Sequence, residues 1–156
     1  DQAVPKQFLD DTFDRVGNKY HVKPLIQKCV TFTRSDILND TLSDKFPKSD
    51  IVFAQNVFCH MTEGDAEKGF LNILSLTKDR SALFIDGMYP ELRSKLTGQA
   101  NLEPLAYNHK KIYKHSRMLL SPSWWSRYYG REPYLFFKRE KIRRYSTIFL
   151  RSHLLK

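Results

Sequence analysis

Two adjacent amides, Gln55 and Asn56, follow directly on the short run Ile51-Val52-Phe53-Ala54, and Cys59 and His60 come three residues later. Ile51 to Phe53 are β-branched or aromatic and too few for a helix. They read as a strand, and their wholly apolar character predicts burial on both faces. In open α/β sheets, ligands bind beyond the carboxyl ends of the strands. Amides placed there can both donate and accept hydrogen bonds toward a nucleotide-like ligand. The same amides can instead cap a loop onto itself, and this stretch alone leaves both readings open. A histidine just after a strand is more often structural than chemical, although its proton affinity suits either use.

The flanking elements follow from spacing and punctuation. Residues 1–12 carry a helical pattern, and Phe13 to Val22 read as a hairpin. Its turn, Gly17-Asn18, can supply the positive φ that tight hairpins need. Pro24 opens a helical turn through Lys28. Cys29 to Thr33 alternate as a strand and lead into Ser35-Asp36-Ile37-Leu38. Residues 39–49, with Pro47, form a loop or short helix before the Ile51 strand. Beyond that strand, Thr62 caps a helix, and Asp65 three residues on completes a capping-box arrangement. Ala66, Phe70, Ile73, Leu74 and Thr77 share one helical face, with Lys78 in the favourable last turn. A second strand, Ala82 to Ile85, ends at Asp86-Gly87, which makes a strand–helix–strand parallel crossover. A helix begins at Pro90 and runs to Leu96. Leu102–Tyr107 and Ser146–Leu150 are strand candidates. Residues 108–144 between them form an insert rich in aromatics, including Trp124, Trp125, Tyr128, Tyr129, Tyr134, Phe136 and Phe137. These rings suit base stacking, a peptide grip or a satellite core beneath a long loop, the last being the commoner outcome.

The chain has 156 residues, 41% hydrophobic and 28% charged, which is one globular domain's worth or a piece of a larger one. Its apolar runs are too short to span a bilayer. It opens on Asp rather than Met and without a charged-then-apolar leader, so part of a longer polypeptide is expected. Two cysteines, Cys29 and Cys59, do not make a disulfide framework, and no Cys/His spacing suggests a metal site; a cytoplasmic location is the expectation. The net charge is +9. Part of the excess lies in Lys138, Arg139, Lys141, Arg143 and Arg144, a field that suits an acidic protein, nucleic acid or anionic lipid, or simply a solvated helix face.

From Val22 to Met61 the sequence resembles the C-terminal half of the chemotaxis-receptor glutamate methyltransferases, the CheR-type family that uses S-adenosylmethionine. Three features carry the likeness. Val22-Lys-Pro-Leu-Ile-Gln-Lys-Cys29 runs into Val30-Thr-Phe32. Asp36-Ile37-Leu38 stands where that family has Asn-Leu-Leu. The run Asp50 to Val57 stands where it has a strand containing Arg-Asn-Val. The helix and the strand that ends at Gly87 keep the same order; beyond Gly87 the likeness fades.

The resemblance implies an α/β, Rossmann-like methyltransferase sheet, incomplete in this chain, with a small N-terminal β-hairpin (13–22) and the aromatic insert. It implies S-adenosylmethionine as cofactor, with Asp36 and Ile37 beside the adenine and Gln55 and Asn56 lining the pocket. His60 replaces a tyrosine near the reacting centre and is the catalytic candidate. Arg15, Gly17 and Tyr20 lie on the hairpin, which in some members docks a receptor-borne peptide, so an acidic, receptor-like protein is the expected partner. Gln55 in place of arginine removes a positive charge near the cofactor.

The glycine-rich turn and ribose-holding acid of the family precede this segment, and no Gly-x-Gly occurs in the chain. In the seven-stranded sheet, Cys29–Thr33 and Ile51–Ala54 would be separated by a gap of two strand widths, roughly 10 Å, with nothing in this chain to fill it. The expectation is therefore a methyltransferase part that is inactive alone. The rival expectations are a non-catalytic binding module of this fold and a nucleic-acid methyltransferase or binder. The latter is disfavoured by the absence of the Asn/Asp-Pro-Pro-aromatic tetrapeptide of amino-directed DNA methyltransferases.

Overall fold

The computed structural model describes residues 4–111 and 141–152. They divide into two compact units that meet in sequence between Arg34 and Ser35.

The first unit holds helix α1 (Lys6–Thr12), the hairpin strands β1 (Phe13–Val16) and β2 (Lys19–Val22), and the single turn α2 (Pro24–Gln27). The hairpin is as predicted, with Val16 opposite Lys19 and Gly17 at φ 62°. Glycine reaches this left-handed conformation without a Cβ clash. Edge-to-face rings run from Phe8 through Phe13 to Tyr20, at 6.3 and 6.0 Å between centroids. The Thr12 carbonyl accepts the Lys23 N–H at 3.0 Å, which closes the far end of the hairpin. No described residue of this unit is buried, so local hydrogen bonds and ring contacts carry it rather than a core.

The expected strand Cys29–Thr33 does not form. Val30 is 49% and Phe32 94% exposed. Alternation can make a segment suitable for a sheet, but without a neighbouring strand its N–H and C=O groups gain nothing by extending.

The second unit is a mixed four-stranded sheet in the order β3-β4-β6-β5 with helices packed on it. After the turn α3 (Leu42–Lys45), β3 (Ser49–Ala54) leads through a 3-10 turn (Phe58–His60) into α4 (Glu63–Ser75) and β4 (Thr77–Ile85). Then follow α5 (Pro90–Gln99), the two-residue β5 (Glu103–Pro104), α6 (Lys141–Tyr145) and β6 (Ile148–Arg151). Strands β3 and β4 are parallel, with Val52 opposite Leu83 and Ala54 opposite Ile85; β6 runs antiparallel to both β4 and β5. Parallel neighbours need a crossover, and α4 provides it. The strand expected over 102–107 shrinks to Glu103–Pro104.

One sheet face carries the core. Ala54, Leu83, Ile85 and Phe149 pack with Phe58, Ala66, Phe70 and Ile73, and with Leu92, Leu96 and Leu102. Burial of β3 on both faces is not observed: Ile51 is 55% and Phe53 65% exposed. Successive residues of a strand face opposite sides of the sheet, so the odd positions of β3, an edge strand among the described residues, lie on the side opposite the core, where Phe53 stacks on Phe84 at 4.5 Å.

Helix α4 starts as its sequence predicts. The Thr62 hydroxyl accepts the Asp65 N–H at 3.2 Å, and it donates to the Asp65 carboxylate at 2.7 Å rather than leaving that carboxylate to bond the cap's own N–H. Thr62→Ala is expected to lower stability by about 1 kcal/mol in urea denaturation, and Thr62→Ser by much less. At its other end the helix stops at Ser75. Thr77 and Lys78 belong to β4, and Lys78 pairs across the sheet with Asp50 at 2.8 Å instead of closing the helix.

The basic C-terminal residues are not a solvated face where they are described. Arg144 is 7% exposed and donates to the Glu91 carboxylate at 2.5 Å. Its carbonyl accepts from the buried Arg93 guanidinium at 2.8 Å, and Arg143 donates to the Leu102 carbonyl at 2.6 Å. These guanidiniums join α5 and Leu102 just after it to the segment before β6. Lys138, Arg139 and the aromatics of the insert lie outside the described residues.

Candidate functional site

Because β3 and β4 are parallel and in register, Gln55-Asn56 and Asp86-Gly87 leave the sheet side by side at its carboxyl edge. Both exits turn through left-handed backbone, Asn56 at φ 56° and Gly87 at φ 71°. The two chains touch closely there. A Cβ on Gly87 would lie 3.0 Å from the Asn56 Cα and 3.3 Å from its side-chain oxygen. Asparagine tolerates this conformation better than most residues with a Cβ, and glycine tolerates it best. The sequence thus places at this edge the two residue types able to turn both strands sharply.

Gln55 and Asn56 are exposed, and Asp86 is half-buried. The Asp86 carboxylate accepts the Gly87 N–H at 2.8 Å, which fixes the second exit. The Cys59 thiol lies 3.4 Å from the Asn56 carbonyl. Burial pushes that thiol's pKa up, and the negative charge of Asp86 adds to the rise. Cys59 is therefore a neutral thiol at physiological pH, unsuited to act as a nucleophile. His60 ends the 3-10 turn and is exposed.

Asp36 and Ile37 approach from another part of the chain. The Asp36 carboxylate accepts the Leu38 N–H at 2.9 Å, and the Asp36 carbonyl accepts from Asn39 at 3.1 Å, which bends residues 36–39 into a tight turn. A carboxylate retains further lone pairs after one such bond, and Asp36 is exposed.

Helix α4 holds this turn beside the end of β3. At Gly69 a Cβ would meet Phe58 at 3.4 Å and Ile37 at 3.6 Å. The turn bearing Asp36 and the 3-10 turn that follows Asn56 therefore converge on the same residue of α4. Three residues along the helix, the Asn72 amide donates to the Ile37 carbonyl at 2.9 Å and the Asn39 carbonyl at 3.3 Å. Lys68 adds an exposed ion pair to Asp40 at 3.1 Å.

Of the residues singled out in the sequence, Gln55, Asn56 and His60 thus lie at the carboxyl end of β3, and the turn of Asp36 and Ile37 docks on the helix that follows it. Ile37 turns its side chain toward Gly69, so it seats the turn on α4. Arg15, Gly17 and Tyr20 belong to the first unit. Arg15 and Tyr20 are opposite each other in the hairpin ladder, and the Arg15 guanidinium donates to the Gly17 carbonyl at 3.2 Å. Sequence reasoning overlooked Gly69 and Asn72. A glycine inside a helical pattern signals close approach, whereas Asn72 gave no local signal. A cleft of about 340 Å³ lies at the starts of α4 and α5, lined by Glu63, Tyr89, Glu91 and Leu92.

These features fit the adenosine end of a nucleoside-bearing cofactor: an exposed carboxylate, two exposed amides and sharply turned strand ends along the carboxyl edge of a parallel pair. No helix of the described residues is long and apolar enough to cross a membrane. Comparison with curated proteins and with solved structures gives no match. The family model for the CheR methyltransferase, SAM binding domain matches residues 2–101, nearly two thirds of the 156-residue chain. The chain therefore belongs to the CheR methyltransferase family, and S-adenosylmethionine is its cofactor.

Proposed function

We propose that this chain contributes the adenine-side half of a Rossmann-like S-adenosylmethionine site, and that the methyl acceptor is a glutamate carboxylate of an acidic, receptor-like protein. The observation that supports the site is the convergence of the Asp36 turn and the β3 exit on Gly69 of α4. Asp36 accepts a hydrogen bond from the adenine exocyclic amine, and Gln55 and Asn56 offer amide donors and acceptors to the nucleoside. Family membership supports the acceptor class.

The cofactor supplies an electrophilic methyl group when bound. The chemistry left to the protein is modest, since a glutamate side chain is already ionised at neutral pH. Positioning in line and excluding water from the carboxylate are then the main contributions. A site built of amides, a neutral thiol and a tight turn suits that task. His60, at the end of the turn that follows Asn56, takes the acceptor side of the site in this reading. The hairpin of Arg15, Gly17 and Tyr20 offers the partner an exposed guanidinium and ring. Arg143 and Arg144 are engaged by Leu102 and Glu91 inside the second unit, so they would act on an acidic partner through their charge and not by direct contact.

The test is transfer of tritiated methyl by the natural polypeptide carrying this sequence, with receptor-type protein, free amino acids and nucleic acid as acceptors. Label on protein that base releases as methanol is the expected result, because carboxyl methyl esters hydrolyse in base. Base-stable label, or label on nucleic acid, would overturn the glutamate reading. Binding of S-adenosylhomocysteine with no transfer to any acceptor would identify a binding module.

A further inference from the structure

We infer that Asn72 is a positioning residue for cofactor binding, acting through the Asp36 turn and not by touching the ligand. The inference rests on the adenine-side reading given above. Asn72 is half-buried on α4 and spends its amide N–H groups on two carbonyls of one turn, Ile37 at 2.9 Å and Asn39 at 3.3 Å. These partners are 35 and 33 residues away in the chain, so the bonds are tertiary ties and not helix capping.

The turn has its own internal bonds but needs an external one. The Asp36 carboxylate bonds Leu38, and the Asn39 side-chain oxygen accepts from Thr41 N–H at 3.0 Å and from its hydroxyl at 2.9 Å. These contacts set the shape of residues 36–41, but none fixes that shape relative to the sheet. Other contacts also hold it to α4, among them an ion pair, an apolar contact and the packing of α3, which follows the turn. The Lys68–Asp40 pair has side chains 48% and 75% exposed, so solvent screens it. Ile37 packs against Gly69 and the core cluster, an apolar contact without the directionality of a hydrogen bond. The Asn72 amide is a planar group with two donors in fixed directions. Satisfying two carbonyls at once sets both the height and the rotation of the turn on α4. That in turn sets where the Asp36 carboxylate stands relative to Gln55 and Asn56. Misplacement of a positioned group by about 1 Å is enough to weaken a site substantially.

The role predicts a particular pattern of effects. A residue that orders the adenine side changes affinity for the nucleoside and leaves the methyl-transfer step at saturation alone. Asn72→Leu keeps the size of the side chain and removes both donors. Asn72→Asp keeps the shape and turns an acceptor toward the carbonyls.

The experiment is calorimetry of S-adenosylhomocysteine and of adenosine with the natural polypeptide carrying this sequence, as wild type, Asn72→Leu, Asn72→Asp, Asp36→Ala and the Asn72→Leu/Asp36→Ala double variant. Hydrogen exchange is followed at Leu38, Asn39 and Thr41. Asn72→Leu should weaken both ligands by about tenfold, as expected for loss of two hydrogen bonds, and speed exchange in the turn while the Phe70 and Ile73 amides stay protected. In the Asp36→Ala background the same change should cost less than threefold, because the group being positioned is gone. Saturated turnover should stay within about twofold of wild type. Unchanged affinity in either folded Asn72 variant would overturn the inference, as would full additivity with Asp36→Ala. If Asn72→Leu does not fold, Asn72→Asp carries the same comparison. An Asp36→Ala protein, otherwise wild type, that binds as tightly as the unmutated one would instead reject the adenine-side role of Asp36, which separates the two failures.

Discussion

Gly87→Ala is expected to destabilise the second unit by about 2–3 kcal/mol and to weaken S-adenosylhomocysteine binding at least tenfold. Two separate causes add. The backbone at φ 71° is left-handed, where an L side chain is strained. The new Cβ would also stand 3.0 Å from the Asn56 Cα, a backbone atom with no rotamer to escape into. The β3 and β4 exits must part to admit it, and they carry Gln55, Asn56 and Asp86. Asn56→Gly separates the two consequences. It removes the amide but suits φ 56° at least as well. Its stability should stay within about 1 kcal/mol of wild type while ligand affinity falls. Urea denaturation beside calorimetry on the three proteins checks both statements; a Gly87→Ala protein as stable as wild type would contradict the close approach.

Phe70→Ala should cost about 3–5 kcal/mol in the same denaturation experiment. Phe70 is 0% exposed and sits in the cluster formed by Ala54, Leu83, Ile85 and Phe149 of the sheet. Removing the ring leaves a cavity in a cluster shared by the sheet, α4 and α5, which collapse only partly relieves. The functional consequence follows from its position between Gly69 and Asn72. Helix α4 is the surface on which the Asp36 turn is held, so a helix loosened at Phe70 loses the turn as well. Phe70→Leu, which refills much of the volume, should recover most of the stability and with it the ligand affinity. A Phe70→Ala protein less than 1 kcal/mol weaker than wild type would show that α4 does not depend on this contact.

What could be read from the sequence was whatever local chemistry decides. The Gly17-Asn18 turn, the Thr62 cap and the strand–helix–strand order from Asp50 to Ile85 are each set by residues close together in the chain. The amides at the end of β3 stand out because a short apolar run makes their place predictable. Partners in space decide the remainder. Cys29–Thr33 has a strand's alternation but no ladder to join, and the odd positions of β3 are exposed because no described strand or helix covers them. Arg143 and Arg144 read as surface charge, yet they bond inward to Leu102 and Glu91, about 40 and 50 residues away in sequence. Lys78 suits a helix end by type, but it lies in β4, where it pairs across the sheet with Asp50. Asn72 is the most instructive case. Nothing around it in the sequence marks it, and only the folded turn 35 residues upstream gives its amide a purpose.

In the proposed site, residues 36–39 and the paired strand ends at 55–56 and 86–87 form one adenosine-binding edge. Hydrogen exchange of the natural polypeptide carrying this sequence, with and without saturating S-adenosylhomocysteine, tests it most directly. Protection rising together at Leu38 and Asn39, at Asn56 and Val57, and at Gly87 and Met88, with the hairpin amides of Lys19 to Val22 unchanged, is the predicted result. Ligand bound with protection at only one of these segments, or at none of them, would contradict it.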